Sequence, residues 1–299
     1  MRSGIGCRAY KCDTRYVYKT FAHTLLSVMS QAPVEIVAPL YKLIARPDFD
    51  FSTIWNSISA DEQKKLNMLR QHSFPVRLRK HPLNDEYWLD IQSGYSLTKS
   101  NVALLQADIT CHHARSCGLT ISEATITDAT ASIGGNVFAF ATCFGKVNAI
   151  EKVEPTAQML LHNLQLSGLS SSVTVWCGDS SKVALVADKM KQDVVFLDPP
   201  WGGLKYNEEK ILSLFLEEKN LRQICIEWAL HAKLIVLKLP LNFNYFEFRV
   251  AEATLPFVVV YTGTIGTNRD DQICSSGHTA MYPVRLKRKI MDIMVLRVK

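Results

Sequence analysis

The 299-residue sequence lacks several features that would direct its interpretation elsewhere. No apolar run approaches the ~20 residues that a membrane-spanning helix needs, so we expect no membrane partner. None of the eight cysteines falls in a CxxC pair, which favours reduced thiols in an intracellular protein over a disulfide framework. The early apolar stretch FAHTLLSVM has no clean cleavage site, so we expect no signal peptide and a location in the nucleus or cytoplasm. We found no internal repeat, no low-complexity segment and no pair of metal-ligand clusters, and we predict no metal.

A charge excess is also absent from most of the chain. Residues 86–299 hold 21 Lys/Arg and 21 Asp/Glu, whereas residues 1–85 hold 13 against 7, so the net charge of +6 lies entirely in the first part. This part shows helical periodicity from about residue 33 to 72, a capping box at Ser59 and Glu62, and the basic run RLRKH at 77–81. We therefore predict a basic, mostly helical extension over 1–85, and such a charge distribution favours a nucleic-acid partner.

After residue 100 the sequence predicts an α/β fold with a doubly wound, mostly parallel sheet. A helix ending at Gly118 precedes four β-rich runs that alternate with helical segments. The runs are ATITD, KVNAIE, SVTVWCGD and DVVFLDPP, and a predicted helix through ILSLFLEE precedes a fifth, KLIVLKLP. The last two runs, at 256–265 and 290–298, have no helix between them, so we predict an antiparallel pair at the sheet edge.

Polar residues follow these strands at their carboxyl ends, where open α/β sheets bind ligands. Asp128 ends the first strand, and Gly134 and Gly135 open the next helix, although this turn is not a full GxGxxG and is weak evidence alone. Glu151 ends the next strand 23 residues after Asp128, a spacing typical of a carboxylate that binds ribose hydroxyls. Asp179 after the third strand could accept from an adenine amine or cap the following helix, and taken alone it favours the cap.

The fourth strand ends in DPPWGG, residues 198–203. Proline lacks an amide hydrogen and restricts the residue before it, so Asp198-Pro199-Pro200 is a rigid segment that offers only hydrogen-bond acceptors. Acceptors beside the ring of Trp201 suit a planar amine such as the NH₂ group of a nucleobase. A proline-rich turn with a core tryptophan is the alternative.

Together these motifs resemble the class I S-adenosylmethionine-dependent methyltransferases, and among them the trimethylguanosine synthases, which methylate the guanine N2 of RNA caps. The resemblance rests on DATASIGGN, AIE, CGD and DPPWGG, with GYSLTKSNVALLQAD upstream and LKLPLNFN downstream, and it covers about residues 90–265. It implies a seven-stranded sheet with a C-terminal antiparallel pair, in a methyltransferase domain over 86–299. It also implies S-adenosylmethionine as the cofactor and 7-methylguanosine-capped RNA as the partner, either small nuclear or nucleolar RNA or viral mRNA. We expect the protein to act as a monomer.

The resemblance also implies roles for individual residues. Cofactor-binding residues would be Thr98, Asp128, Ala129, Thr130, Gly134, Gly135, Asn136, Glu151, Gly178 and Asp179. The catalytic segment would be Asp198, Pro199, Pro200 and Trp201, and substrate-binding residues would be Ser96, Trp201, Lys205 and Asn242. In this interpretation the Asp198 carboxylate and the Pro199 carbonyl orient the amine, and Trp201 stacks on the cap base, where a cationic 7-methylguanine gains a cation–π contribution.

The sequence departs from the family pattern at three positions. Ser132 replaces the first glycine of the cofactor turn, and Leu241 stands where an arginine is a plausible phosphate ligand, so Lys205, Lys238 or the basic N-terminal region would replace it. Asp198 stands where the family has serine, and DPP followed by an aromatic residue is common in N6-adenine and ribosomal N2-guanine methyltransferases. Alternatives are therefore methylation of an internal RNA amine, or a non-catalytic cap- or RNA-binding subunit.

Overall fold

A nine-stranded sheet forms the centre of the protein in the computed structural model, which describes residues 40–73, 87–187, 189–249, 252–268, 272–277 and 286–299. The strands of this sheet are β1 (Tyr41–Lys42), β2 (Thr125–Asp128), β3 (Lys146–Glu151), β4 (Val173–Cys177), β5 (Val194–Leu197), β8 (Leu234–Leu239), β9 (Phe257–Thr267), β10 (Ile273–Gly277) and β11 (Arg288–Val298). Strands β6 (Phe215–Leu216) and β7 (Lys219–Asn220) form a separate hairpin.

The sheet order is β1-β4-β3-β2-β5-β8-β11-β9-β10. Strands β4, β3, β2, β5 and β8 are parallel, and the pairs at both ends of the order are antiparallel. The predicted doubly wound sheet and the C-terminal antiparallel pair are therefore confirmed. In the described part the central sheet has nine strands rather than seven, because β1 and β10 extend it at its two edges.

Helices cover both faces of the sheet. They are α1 (Phe51–Asn56), α2 (Ala60–Ser73), α3 (Ile91–Ser96), α4 (Ser100–Ser116), α5 (Gly135–Phe140), α6 (Glu154–Leu166), α7 (Val183–Ala187), α8 (Leu221–Trp228) and α9 (Phe246–Arg249). All residues of β5 and β8 are buried, as expected of central parallel strands. Alternate residues of β5 enter opposite cores, with Val194 and Phe196 in one cluster and Val195 and Leu197 in the other.

The N-terminal part is only partly within the described residues. The capping box at Ser59 and Glu62 lies directly before α2, and the Glu62 amide donates to the Ser59 hydroxyl. Within the predicted helical pattern, however, Tyr41 and Lys42 form β1, which pairs with β4. The basic run at 77–81 lies outside the described residues, and the domain boundary near residue 85 stays a prediction. Within the described ranges, no helix is both long and apolar enough to cross a bilayer.

Strands β2 and β5 are paired neighbours. The chain continues from β2 to β3 on one side and from β5 to β8 on the other, so the strand order reverses between β2 and β5. A crevice forms at the carboxyl ends of strands at such a switch point. The sequence places Asp128 and Asp198 at these two strand ends. The fold therefore brings the glycine turn and DPPWGG to one place.

Candidate functional site

A cavity of about 290 Å³ opens at the carboxyl ends of the parallel strands. Eleven predicted site residues line it: Ser96, Thr98, Asp128, Ala129, Thr130, Gly135, Asn136, Glu151, Asp179, Asp198 and Pro200. Six others lie outside its lining: Gly134, Gly178, Pro199, Trp201, Lys205 and Asn242. The structure thus brings eight of the ten predicted cofactor residues around one space, whereas Trp201, Lys205 and Asn242 lie outside its lining.

The turn between β2 and α5 forms one wall of the cavity. Gly134 adopts a positive φ of 103°, and Ser132 also has a positive φ, of 46°. A Cβ atom on Gly135 would lie 2.8 Å from the backbone nitrogen of Thr98, so only glycine allows this close approach. Asn136, buried on α5, donates its side-chain amide to Gln106 of α4 at 2.5 Å. Gly135 therefore packs the turn against the segment that leads into α4.

Glu151 accepts two backbone hydrogen bonds at the end of β3. Its Oε2 accepts from the Ser132 amide at 2.9 Å, and its Oε1 accepts from the Val153 amide at 2.8 Å. A carboxylate has about four acceptor sites, so two remain for a ligand. Burial raises the pKa of Glu151, and the two amides oppose that shift.

Two further aspartates face the cavity from neighbouring strand ends. Asp128 is 2% exposed, and burial raises its pKa to about 7, while a bond from the Thr130 amide opposes the shift. A cationic ligand beside Asp128 would favour its charged form. Asp179 accepts from the Ser181 amide at 2.9 Å, which is a local turn contact, and it also lines the cavity. Gly178, with a φ of 157°, is instead packed against Leu40.

Asp198 is held at its backbone and its side chain. The Asp198 amide donates to the Thr130 hydroxyl at 2.8 Å. The Asp198 Oδ2 accepts from the Lys238 ammonium at 2.5 Å, and Lys238 also donates to the Thr98 hydroxyl at 2.9 Å. Burial raises the pKa of Asp198 and the ammonium opposes this. Because Lys238 is 6% exposed and paired with Asp198, it is not placed as the phosphate ligand suggested from the sequence.

Trp201 is partly buried and contacts both apolar clusters. Its ring centroid lies 5.2 Å from that of Tyr206 at an interplanar angle of 67°, and 5.5 Å from the Lys238 ammonium. Asn242 donates to the carbonyls of Tyr206 and Glu209, so it holds the 203–208 segment that follows the tryptophan. Lys205 in that segment is exposed. Trp201 and Lys205 therefore lie in the segment after β5, Asn242 holds that segment from the turn after β8, and Ser96 lies apart from them in the cavity lining.

Sequence reasoning missed twelve lining residues. They are Gln92, Ser93, Leu97, Ala131, Ser132, Ile150, Lys152, Val153, Thr156, Ser180, Leu216 and Glu217. Seven of them lie within two positions of a predicted site residue in the chain, which is a signal that could have found them. Leu216 and Glu217 come from the β6–β7 hairpin, in a stretch that the sequence predicts as helix, so the sequence gives no signal for them.

The charges of the lining residues define the ligand that fits. Five carboxylates line the cavity (Asp128, Glu151, Asp179, Asp198, Glu217), against one ammonium, that of Lys152. Such a lining suits a positively charged molecule that carries several N–H and O–H donors. S-adenosylmethionine, the cofactor implied by the sequence, has a sulfonium, an ammonium, ribose hydroxyls and an adenine amine, so the residues present fit it.

Comparison with known proteins gives a family for the central stretch. Residues 123–260 match the sequence model of a family described as RNA cap guanine-N2 methyltransferase. This match confirms, over that stretch, the resemblance found in the sequence.

Two curated relatives are 36% identical to the chain. They are trimethylguanosine synthase of Schizosaccharomyces pombe, over 130 residues, and the uncharacterized protein L320 of Acanthamoeba polyphaga mimivirus, over 129 residues. Each alignment covers 42% of this chain, with 51% of the yeast protein and 49% of the viral one. The chain thus spans about half the length of the curated relatives it matches.

A solved structure shares the fold at low sequence identity. A Porphyromonas gingivalis W83 protein assigned as a methyltransferase superposes with a TM-score of 0.53 at 12% identity, covering 96% of this chain and 59% of the other. The architecture is a Rossmann-like methyltransferase fold with a large, mostly parallel central sheet.

Proposed function

We propose that this chain, whose residues 123–260 match the RNA cap guanine-N2 methyltransferase family, methylates the N2 amine of a 7-methylguanosine cap with S-adenosylmethionine. The coarser assignment, a methyltransferase, is supported by the family match together with the fold. One observation carries the finer proposal. Asp198 and Pro200 line the acidic cavity, and Trp201 directly follows Pro200 in this stiff segment.

The cavity residues would hold the cofactor by charge and hydrogen bonding. Glu151 has acceptor sites left for ribose hydroxyls, Asp179 would accept from the adenine amine, and Asp128 would face the cationic methionine part. Thr130, Gly135 and Asn136 complete that wall. When bound, S-adenosylmethionine supplies a methyl group that is already activated by the sulfonium.

The remaining task of the protein is to orient the amine. Pro199 and Pro200 provide no amide donor, so an N–H group placed there meets only acceptors. The Asp198 carboxylate and the Pro199 carbonyl would each accept one N–H, which directs the nitrogen lone pair toward the methyl group. Such alignment is the main source of rate in a transfer that needs little acid–base chemistry. The carboxylate also stabilises positive charge that develops on the nitrogen.

Trp201 would be the stacking surface for the cap base. A base stacked on an aromatic ring contributes about 1–3 kcal/mol, and a cationic 7-methylguanine adds a cation–π contribution. A second candidate function is methylation of an internal RNA amine, either N2 of guanine or N6 of adenine. The acidic side chain of Asp198, in place of serine, favours it.

Substitution of Trp201 tests the proposal. Trp201→Ala should weaken binding of m7GpppG by about 1–3 kcal/mol, or about 5- to 150-fold, and reduce the preference for m7GpppG over GpppG. Trp201→Phe should recover part of both losses, because a smaller ring remains. Binding is measured by calorimetry, and methylated nucleosides are identified after reaction with labelled cofactor.

A matched control separates stacking from stability. Trp176, which is also partly buried but lies on β4, away from the segment that follows β5, is changed to Phe. All variants should bind cofactor as the parent does. A folded Trp201→Ala protein that methylates m7G caps at the parental rate would refute the assignment, and methylation of uncapped RNA by the parent would support the internal-amine alternative.

A further inference from the structure

Lys238 occupies an unusual place for a lysine, inside a strand whose other residues are apolar. All six residues of β8 are buried, and Lys238 itself is 6% exposed. Removing an ammonium from water costs several kcal/mol unless polar partners compensate. Here the partners are the Asp198 carboxylate at 2.5 Å and the Thr98 hydroxyl at 2.9 Å. The ammonium therefore joins the end of β5 to the segment before α4, on two sides of the cavity.

The contact with Lys238 uses only one of the two carboxylate oxygens of Asp198. Oδ2 accepts from Lys238, whereas Oδ1 has no hydrogen-bond partner among the residues that the structure describes. Asp198 lines the cavity, and its side chain is 19% exposed. An acceptor is thus available to a ligand at the cavity wall, and its orientation is fixed from behind by the lysine.

Building on the proposed function, we infer that Lys238 is a positioning residue that keeps Asp198 ionised and holds one carboxylate oxygen, so that the other receives the target amine. A protonated Asp198 would present a donor to an amine that is itself a donor. The lysine therefore decides whether the DPPW segment offers the array of acceptors that amine methylation needs.

The surrounding charges make this role necessary. The charged groups that act on this part of the site are Asp128 at the end of β2, Glu151 at the end of β3 and Lys238 on β8. Asp179, Glu217 and Lys152 also line the cavity. Burial raises the pKa of Asp198, and the ammonium opposes that shift. Without Lys238, Asp198 would hold its proton to a higher pH, beside acidic neighbours that favour the same outcome.

The test combines a titration without substrate and a rate profile with it. The Asp198 carboxyl is followed by carbon-13 NMR in aspartate-labelled protein without cofactor, with Asp198→Asn used for assignment. Lys238→Met should raise the protonation midpoint by about one pH unit or more, and Lys238→Arg should restore most of the parental value. The acid limb of kcat for m7GpppG should move by the same amount, while the KM for cofactor stays near the parental value.

Two further variants control for folding and for loss of a lysine in general. Lys219→Met removes a partly buried lysine whose ammonium is paired with Glu227 at 2.6 Å, outside the cavity lining, and should shift neither the titration nor the rate profile. Lys238→Met combined with Asp198→Asn removes both charges and should fold even where the single variant does not. Thermal unfolding should show a folded double variant, and its low kcat should no longer have the acid limb that Asp198 causes.

Two results would overturn the inference. One is an Asp198 midpoint in Lys238→Met equal to that of the parent, and the other is an acid limb of kcat that does not move with the midpoint. If the midpoint shifts as expected but the parent methylates no guanine substrate, the proposed function fails and the control of Asp198 by Lys238 stands.

Discussion

The carboxylate of Glu151 bonds to backbone amides on both sides of the cavity rim, at Ser132 and Val153. It therefore shapes the cofactor turn as well as offering acceptors to a ribose. Two substitutions of Glu151 distinguish these roles. Glutamine keeps an oxygen acceptor but loses the charge, whereas alanine loses both.

We expect Glu151→Ala to weaken S-adenosylmethionine binding by about 1.5–3 kcal/mol, the usual contribution of hydrogen bonds to a charged group. Glu151→Gln should fall between this variant and the parent. Calorimetry measures the affinities, and thermal unfolding without ligand measures the cost to the turn. Unchanged affinity in a folded alanine variant would show that the ribose does not bind here.

Sequence reasoning located the strand-end carboxylates but not the partner of Asp198. Asp128, Glu151, Asp179 and Asp198 each follow an apolar run, so position along the chain was enough to place them at one edge. The pairing of Asp198 with Lys238 joins residues 40 positions apart, and only the neighbouring positions of β5 and β8 bring them together. A lysine inside the apolar run LIVLKL was the available signal.

Among the elements, the turn between β2 and α5 contains a residue in a conformation that suits glycine. Ser132 has a φ of 46°, in the left-handed region that costs an L-residue about 1–2 kcal/mol. Ser132→Gly should therefore raise the free energy of unfolding by up to about 1 kcal/mol, after the loss of chain entropy that glycine brings. Thermal and urea unfolding measure the change.

Ser132→Ala is the matched control for the turn. It keeps the unfavourable φ and loses the contact between the Ser132 and Ser96 hydroxyls at 3.3 Å, so it should not stabilise. Equal stability of the glycine and alanine variants would mean that the turn is not strained by a side chain.

Some elements differ from the sequence prediction for physical reasons. The stretch ILSLFLEE has helical periodicity, but it contains the β6–β7 turn, where Glu217 has a φ of 54°. The short strand β1 lies in a segment that has helical spacing, and its pairing with the edge of β4 outweighs that local preference. Long strands with alternating helices were predictable, whereas two-residue strands depend on tertiary contacts.

For the whole molecule, the basic N-terminal part is the candidate for contact with RNA beyond the cap. Within residues 40–73, β1 pairs with β4 and α2 packs against α3 and α4, so substitution is a cleaner test than deletion. Changing Arg77, Arg79 and Lys80 to Gln should raise the KM for capped RNA much more than that for the cap dinucleotide. The salt dependence of RNA affinity should also become less steep, by roughly one unit of slope per lost phosphate contact.

Three exposed lysines provide the control for net charge. Lys146, Lys191 and Lys233 lie at or just before the amino ends of parallel strands, at the sheet edge opposite the cavity. Changing them to Gln alters the net charge equally and should leave the KM for capped RNA near the parental value. An equal effect of both triple variants would indicate a general field effect in place of a local contact.

The pairing of β1 with β4 has a consequence for solubility. Tyr41 and Lys42 pair with Cys177 and Trp176 at the end of the sheet, where β4 would otherwise present unpaired amides and carbonyls. An uncovered edge of this kind is a template for intermolecular strand addition. The β1 strand has only two residues and an exposed lysine, so it is a poor template for such addition. Tyr41 and Lys42 thus protect the sheet from self-association. A variant that lacks residues 1–42 should aggregate sooner than a variant that lacks residues 1–39.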